Sequence, residues 1–424
     1  MKPILISCLI AFCGLFSPVY AQVQQLTLAE LPGEFGFSPT RLGYLDEWLE
    51  SWVNEKKIPH AVTLVAKRGR IVHFKAYGSQ NIQQGIDLKR DDIFRIASQT
   101  KAITTVAILM LHEEGKLLFD DPLSKYMPYF ANPKVLVSYD TTTGAIETRP
   151  AKREITIRDL LTHTSGIPYN HPLENLPEYK VPYLNSLEPD KLTTVVPKIA
   201  ARPLLHDPGE KFTYGLNTDV LGYIVELISG KPLDSFFSER IFGPLGMKDT
   251  HFYLPLEKAP RLVELYAKPH PDSALALSTD FANRYFPLQG ARSYFSGGAG
   301  LVGPIEDYAK FCQFLLNRGE FNGKRLLSTR SVDMMFRDQI GRGITMGETS
   351  DQFSFGLGIF SGHSDYGDLA APGTAWWGGA YGTEYTIDPK ENIIMLVYTN
   401  MMPFVNKSEF LRKFRTMVYQ AMVE

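Results

Sequence analysis

The chain has 424 residues, 44% of them hydrophobic and 21% charged, with a net charge of −2. That length and apolar content support a large buried core and two or more domains, and they exclude a disordered chain. The near-neutral balance carries no basic excess for a nucleic-acid partner.

Met1-Lys2, the apolar run Ile4 to Phe16, and the positions Val19 and Ala21 read as a signal peptide at 1–21, cleaved after Ala21. The expectation is export to the periplasm or medium. Phe12 before Cys13 argues against a lipoprotein. No later apolar run reaches spanning length, so no stable membrane anchor is expected after signal removal. Removing the leader, whose one charged residue is Lys2, takes the net charge to −3. Cys8 and Cys13 leave with it, so Cys312 stands alone and no internal disulfide can form.

Ser38-Pro39 reads as a helix cap followed by proline at the first helical position, and Leu42, Leu45, Leu49, Trp52 and Val53 recur at helical spacing. Ala61–Ala66 and Ile71–Tyr77, joined through Arg68-Gly69, read as a β-hairpin. The helix that follows with Ser98 in its first turn is apolar nearly all round until Gly115 and should be buried on most sides. Asp121-Pro122 opens a short helix, 135–155 holds two short strands around Thr143-Gly144, and Thr156 starts another helix. The proline- and aromatic-rich loop from Pro168 to Pro189 fits a binding-site wall. Helices follow at Asp219–Ile228 and Ile305–Leu316. Strand patterns return at Phe353–Phe360, Thr374–Ile387 and Ile393–Thr399, before a closing helix at Lys407–Met422.

This order predicts an α+β fold. An antiparallel sheet built from both chain ends (22–97 and 341–424) carries the N- and C-terminal helices. A mainly helical region (98–340) is inserted between them, and the active site is expected between the two parts.

The chemistry concentrates on Ser98-Gln99-Thr100-Lys101. Residues three apart share a helix face, so Lys101 stands beside Ser98, close enough to take or hold its proton. A helix start also turns free N–H groups toward anything bound there. Acyl transfer needs a second proton carrier. Tyr214, between the turn Pro208-Gly209-Glu210-Lys211 and the next helix, is placed for it.

Ser98-Gln99-Thr100-Lys101, Ile155–Gly166 with its Leu161-Thr162-His163-Thr164-Ser165-Gly166 end, Pro208-Gly209 leading to Tyr214, and Trp377-Gly378-Gly379-Ala380 occur in the order seen in the serine β-lactamase-like family. The chain resembles that family from about Ser38 to its C-terminus, and within it the class C β-lactamases and family VIII carboxylesterases. The resemblance implies the penicillin-recognising fold, with Ser98 as nucleophile, Lys101 as the lysine that deprotonates or orients it, and Tyr214 as catalytic tyrosine. It also implies an oxyanion hole from the backbone N–H groups of Ser98 and Ala380, and substrate contacts from Leu216, Asn217, Trp377, Gly378 and Gly379.

Two departures bear on substrate. Where the lactamases have Y-x-N, Leu216 stands two after Tyr214 and Asn217 comes one place late. Where they have K-T-G, with a lysine for the lactam carboxylate, Trp377 offers an apolar wall. Both changes favour a small neutral ester. Arg292 is a cation that could restore lactam binding. Tyr183-Leu184-Asn185 and Tyr398-Thr399-Asn400 match Y-x-N literally but lie in the proline-rich loop and at a strand end.

The nine histidines show no H-E-x-x-H or ligand-spaced pair, so neither metal nor cofactor is expected. His163 reads as a structural histidine bonding nearby backbone. The sequence thus points to an exported acyl-enzyme serine hydrolase acting on carboxylic esters. The alternatives are a β-lactamase or D-alanyl-D-alanine carboxypeptidase, and, from another class, a non-turnover penicillin-binding sensor. Oligomeric state is not legible.

Overall fold

The computed structural model describes residues 25–183, 188–341, 343–347, 350–363 and 369–423. The expected leader lies outside the described residues.

From the N-terminus come β1 (Thr27–Leu28), α1 (Pro39–Asn54), β2 (His60–Lys67), β3 (Arg70–Asn81) and β4 (Ile86–Asp87). The Ser38 side chain accepts the Arg41 N–H and Pro39 occupies the first turn, so α1 starts where its cap dictates. Arg68 and Gly69 both take positive φ, which lets β2 and β3 join through a tight turn. The helical middle contains α2 (Thr100–Glu113), α3 (Ile157–Leu161), α4 (Asn217–Ser229) and α5 (Ile305–Leu316). The C-terminal part supplies β5 (Gln352–Phe353), β6 (Gly358–Ile359), β7 (Ala375–Gly378), β8 (Thr383–Asp388), β9 (Ile393–Tyr398) and α6 (Lys407–Gln420).

Among the described residues these strands form one nine-stranded sheet in the order β1-β3-β2-β9-β8-β7-β6-β5, with β4 on the edge of β3. β1 runs parallel to its neighbour and the other pairs are antiparallel. The two chain ends meet at the β2–β9 pairing, where Ile393 faces Lys67 and Tyr398 faces Val62.

Both faces of the central strands are buried, and alternation assigns their side chains. Val65, Ile393, Met395 and Val397 pack with Leu42, Leu45, Leu49 and Trp52 of α1 and Phe410, Phe414 and Val418 of α6. Leu64, Ile394, Leu396 and Tyr398 pack on the opposite side with α2 and with Tyr308 and Phe311 of α5. Every residue of α2 from Thr100 to Leu111 is buried. The helix that follows the serine is therefore held on all sides and can aim it rigidly.

Some local expectations change. The run Phe353–Phe360 is not one strand but the pair β5 and β6, because the chain turns at Gly356 with φ +72. A side chain there would meet Thr105 Oγ1 of α2 at 2.4 Å. Helices at Leu192–Ala200 and Phe281–Gln289 each carry an interior proline, Pro197 and Pro287, a residue that ordinarily breaks the helical pattern. Within the helical middle, Tyr266–Lys268 pairs with Met401–Phe404 from the C-terminal part. Among the described residues no helix is long and apolar enough to cross a membrane.

Candidate active site

Phe94-Arg95 pairs with Val302-Gly303, and the chain then enters a tight turn at Ala97–Gln99 before α2 begins at Thr100. Ala97 has φ +43, a left-handed conformation that costs a non-glycine residue free energy. The surroundings hold it there. Thr100 Oγ1 donates to the Ala97 carbonyl at 2.7 Å and accepts the Leu301 N–H at 3.1 Å. Tyr308 donates to the Gln99 carbonyl at 2.8 Å, and Tyr398 donates to the Gln99 side chain at 2.6 Å. Asn400 Oδ1 accepts the Arg95 N–H at 2.9 Å. The Tyr398-Thr399-Asn400 triplet thus braces the segment that presents Ser98.

Lys101, one helical turn on, is buried and sends Nζ to three acceptors: Ser98 Oγ at 3.2 Å, Tyr169 Oη at 2.8 Å and the Gly298 carbonyl at 2.8 Å. Tyr214 is brought to the same place by a different contact. The Lys101 ammonium lies 4.6 Å from the centre of its ring, and its hydroxyl accepts from Trp377 Nε1 at 3.3 Å. Ser98, Lys101, Tyr214 and Trp377 therefore converge, but the hydroxyl bonded to the lysine belongs to Tyr169.

Tyr169 belongs to the loop expected as a binding-site wall, but no bond to the lysine was expected of it. It sits at the start of the proline- and aromatic-rich loop, and its position is over-determined. Tyr183 Oη donates to its carbonyl at 2.9 Å. Its ring lies 5.4 Å from that of Tyr214. Gly215 presses on the backbone just before it: a Cβ there would fall 2.0 Å from the Ile167 carbonyl oxygen and 2.6 Å from Pro168 C. Only glycine can follow Tyr214 at that distance, and the close approach sets the two tyrosines side by side. Burial, then the neighbouring Tyr214 and Asp219, push the Tyr169 phenol well above its ordinary range, so it stays protonated.

Beneath Lys101 lies Asp219, buried on α4. It accepts from Ser296 Oγ at 2.6 Å and Tyr294 Oη at 3.1 Å. Burial raises its carboxyl, while Ser296 and the Lys101 charge draw it back toward the ionised form. A Cβ on Gly298 would meet Asp219 Oδ2 at 2.5 Å and Tyr169 Oη at 3.1 Å. Gly298 is thus the point where lysine, tyrosine and aspartate close on one another. Gly298→Ala is expected to displace the carbonyl that Lys101 bonds and to lower kcat by about tenfold or more, read by steady-state ester hydrolysis. A rate within twofold of wild type would show that this carbonyl does not position Lys101.

Two expected substrate contacts are corrected by their placement. Leu216 is buried in the main hydrophobic cluster at the residue before α4. Asn217 opens α4 with its side chain turned inward: Nδ2 reaches His163 Nδ1 at 2.8 Å and Oδ1 accepts from Ser165 Oγ. The late asparagine therefore ties the His163–Gly166 turn to α4 and does not face the cleft. His163 itself has φ +55, packs its ring 4.8 Å from Tyr214, and is held neutral by burial and by the Lys101 charge. It makes no contact with Ser98 among the described interactions. Arg292 donates to the Leu288 carbonyl at 3.2 Å and lines a surface cavity with Tyr253 and Phe295, away from Lys101.

Trp377 on β7 completes an aromatic wall, with ring centres 5.2 Å from Phe353 and 5.5 Å from Tyr214. Gly378 and Gly379 carry the strand past the serine segment. A Cβ on Gly379 would fall 2.5 Å from the Ile96 carbonyl oxygen, so β7 touches the chain two residues before Ser98, and Ala380 follows in an exposed position. What the arrangement offers is a serine beside a lysine, two phenols, and a strand edge at the helix start, the parts that acyl transfer through a covalent intermediate requires.

Protein Rv1367c of Mycobacterium tuberculosis is 33% identical over 366 residues, covering 81% of this chain and 86% of that one. Esterase EstB of Burkholderia gladioli is 29% identical over 375 residues, covering 84% and 89%. The structure of EstCE1, a hydrolase with promiscuous acyltransferase activity, superposes with a TM-score of 0.75 at 26% identity, covering 90% of this chain and 98% of that chain. The family model described as Beta-lactamase matches residues 45–415, and the chain belongs to the Beta-lactamase family, with its α+β penicillin-recognising fold.

Proposed function

We propose that this protein is an exported serine hydrolase that turns over small neutral carboxylic esters through an acyl-Ser98 intermediate. The substrate site is the cleft between the sheet lobe (22–97 and 341–424) and the helical segment 98–340. The observation that carries the ester preference is the bond from Trp377 Nε1 to Tyr214 Oη, at 3.3 Å. At the strand position where lactamases keep a carboxylate-binding lysine, this chain has an indole engaged with the tyrosine and packed among aromatic rings. That wall suits an acyl or alkoxy group and offers no charge to an anion. The esterase relatives are consistent with this choice.

In this reading Ser98 Oγ attacks the ester carbonyl and gives up its proton as the bond forms. The Gly298 carbonyl can only accept, and a Lys101 ammonium satisfies all three of its contacts as donor. The proton then passes through Tyr214, over whose ring Lys101 Nζ lies. The N–H groups of Ser98 and Ala380 hold the oxyanion. Tyr214 returns the proton to the departing alcohol, and a water activated the same way releases the acid.

The test compares p-nitrophenyl esters of increasing acyl length with a cephalosporin, using protein recovered from the exported fraction, where its N-terminus is expected at Gln22. Ester kcat/KM is expected to exceed that for the cephalosporin by at least about tenfold. A cephalosporin hydrolysed faster than every ester would assign a lactamase. Stable acylation of Ser98 without turnover would assign a sensor.

A further inference from the structure

Lys407 is the first residue of α6, and its half-buried side chain turns to backbone and not to a carboxylate. Nζ donates to the carbonyl of Gly379 at 2.7 Å and lies 3.5 Å from that of Ala380. Helix energetics do not account for it. A cation in the first turn opposes the positive end of the helix dipole, and lysines are favoured at the other end. Desolvation disfavours the charge as well: burial pulls the ammonium below the ordinary lysine range, and Glu384 of β8 offsets only part of this.

The target of Lys407 explains the placement. The Gly379 carbonyl and the Ala380 N–H belong to one planar peptide unit and point in opposite directions. Whatever fixes the oxygen fixes the direction of the N–H, and a positive charge on the oxygen makes that N–H a stronger donor. The neighbouring peptide is held too. Gly379 N–H donates to the Thr383 carbonyl at 2.7 Å, and its carbonyl also accepts the Gly382 N–H at 3.2 Å. The Ala380 N–H, by contrast, donates to no backbone carbonyl among the described residues.

We propose that Lys407 is a positioning residue for the oxyanion site, orienting and polarising the Gly379–Ala380 peptide so that the Ala380 N–H meets the charge developing on the substrate carbonyl. The inference rests on the reading of Ser98 as nucleophile. It adds a cation that acts through the backbone, from the C-terminal helix, without touching substrate.

The test uses the full mature chain with Lys407→Met, Lys407→Arg and Ser98→Ala. Two readouts are p-nitrophenyl butyrate hydrolysis and inhibition by an alkyl trifluoromethyl ketone, whose hemiketal adduct carries an oxyanion. Lys407→Met is expected to lower kcat about 10- to 100-fold with KM changed less than about threefold. Ketone affinity should weaken by a similar factor, and Lys407→Arg should recover much of both. Should the methionine variant fail to fold, Lys407→Gln, which keeps a donor without charge, is expected to show the same split. Unchanged kcat and ketone affinity in a folded variant, beside an inactive Ser98→Ala, would overturn the role of Lys407 and leave the nucleophile intact. A fall in kcat with unchanged ketone affinity would also overturn it, since a merely structural lysine gives that pattern. Full activity in Ser98→Ala would instead remove the nucleophile reading, and Lys407's role with it.

Discussion

Ser98→Ala is expected to abolish ester hydrolysis, lowering kcat by at least about 10⁴-fold while leaving the fold and its melting temperature near wild type. The size follows from what is lost. Without Oγ no acyl-enzyme can form, and the remaining groups can only orient water poorly for direct attack. The small effect on folding follows from the geometry: Ser98 Oγ accepts one bond, from Lys101 at 3.2 Å, and Lys101 keeps Tyr169 and the Gly298 carbonyl as partners. The strained turn is held by Thr100, Tyr308 and Tyr398, none of which touches the Ser98 hydroxyl. Mass spectrometry of the wild type quenched with excess ester should find the acyl group on Ser98. Residual turnover above about a hundredth of wild type, or an adduct elsewhere, would identify another nucleophile.

Much of this site was legible where chemistry and local geometry coincide. Ser98 and Lys101 are one helical turn apart, so spacing alone places them together, and the apolar run after them marks the buried α2. The sheet was legible because its central strands are short apolar runs bounded by turns and because both chain ends carry them. The site was less legible where it depends on contacts distant in sequence. Tyr169 meets Lys101 across 68 residues and sits in a loop with no periodic signal; the short Gly215 contact that sets it beside Tyr214 is visible only in three dimensions. Lys407 opens the closing helix expected from the sequence, and nothing local shows that its ammonium reaches Gly379. The late place of Asn217 in its motif signalled a displaced side chain, but its new partners were not legible. A motif offset by one residue at a helix start turns the side chain by about 100°, enough to move it from the cleft into the protein.

The two tyrosines beside Lys101 make the sharpest separate test. Tyr214→Phe is expected to lower kcat by about 100-fold or more, because it removes the group assigned to carry the proton from Ser98 to the leaving alcohol. Tyr169→Phe is expected to cost only about tenfold, because it removes one bond that orients Lys101. The distinction comes from surroundings rather than distance. Tyr169 is the closer partner of the ammonium, at 2.8 Å, yet burial beside Tyr214 and Asp219 raises its phenol and keeps it a neutral hydroxyl. Tyr214 instead has Lys101 Nζ over its ring at 4.6 Å and a donor, Trp377 Nε1, on its oxygen. Trp377→Phe in the Tyr214 background keeps the aromatic wall and deletes that donor, so it should weaken the reaction less than losing the phenol. Pre-steady-state acylation of the single variants, followed by release of p-nitrophenol, resolves the step each residue serves. If Tyr169→Phe proves the more damaging of the two, the proton path runs through the loop tyrosine, and Tyr214 becomes part of the wall.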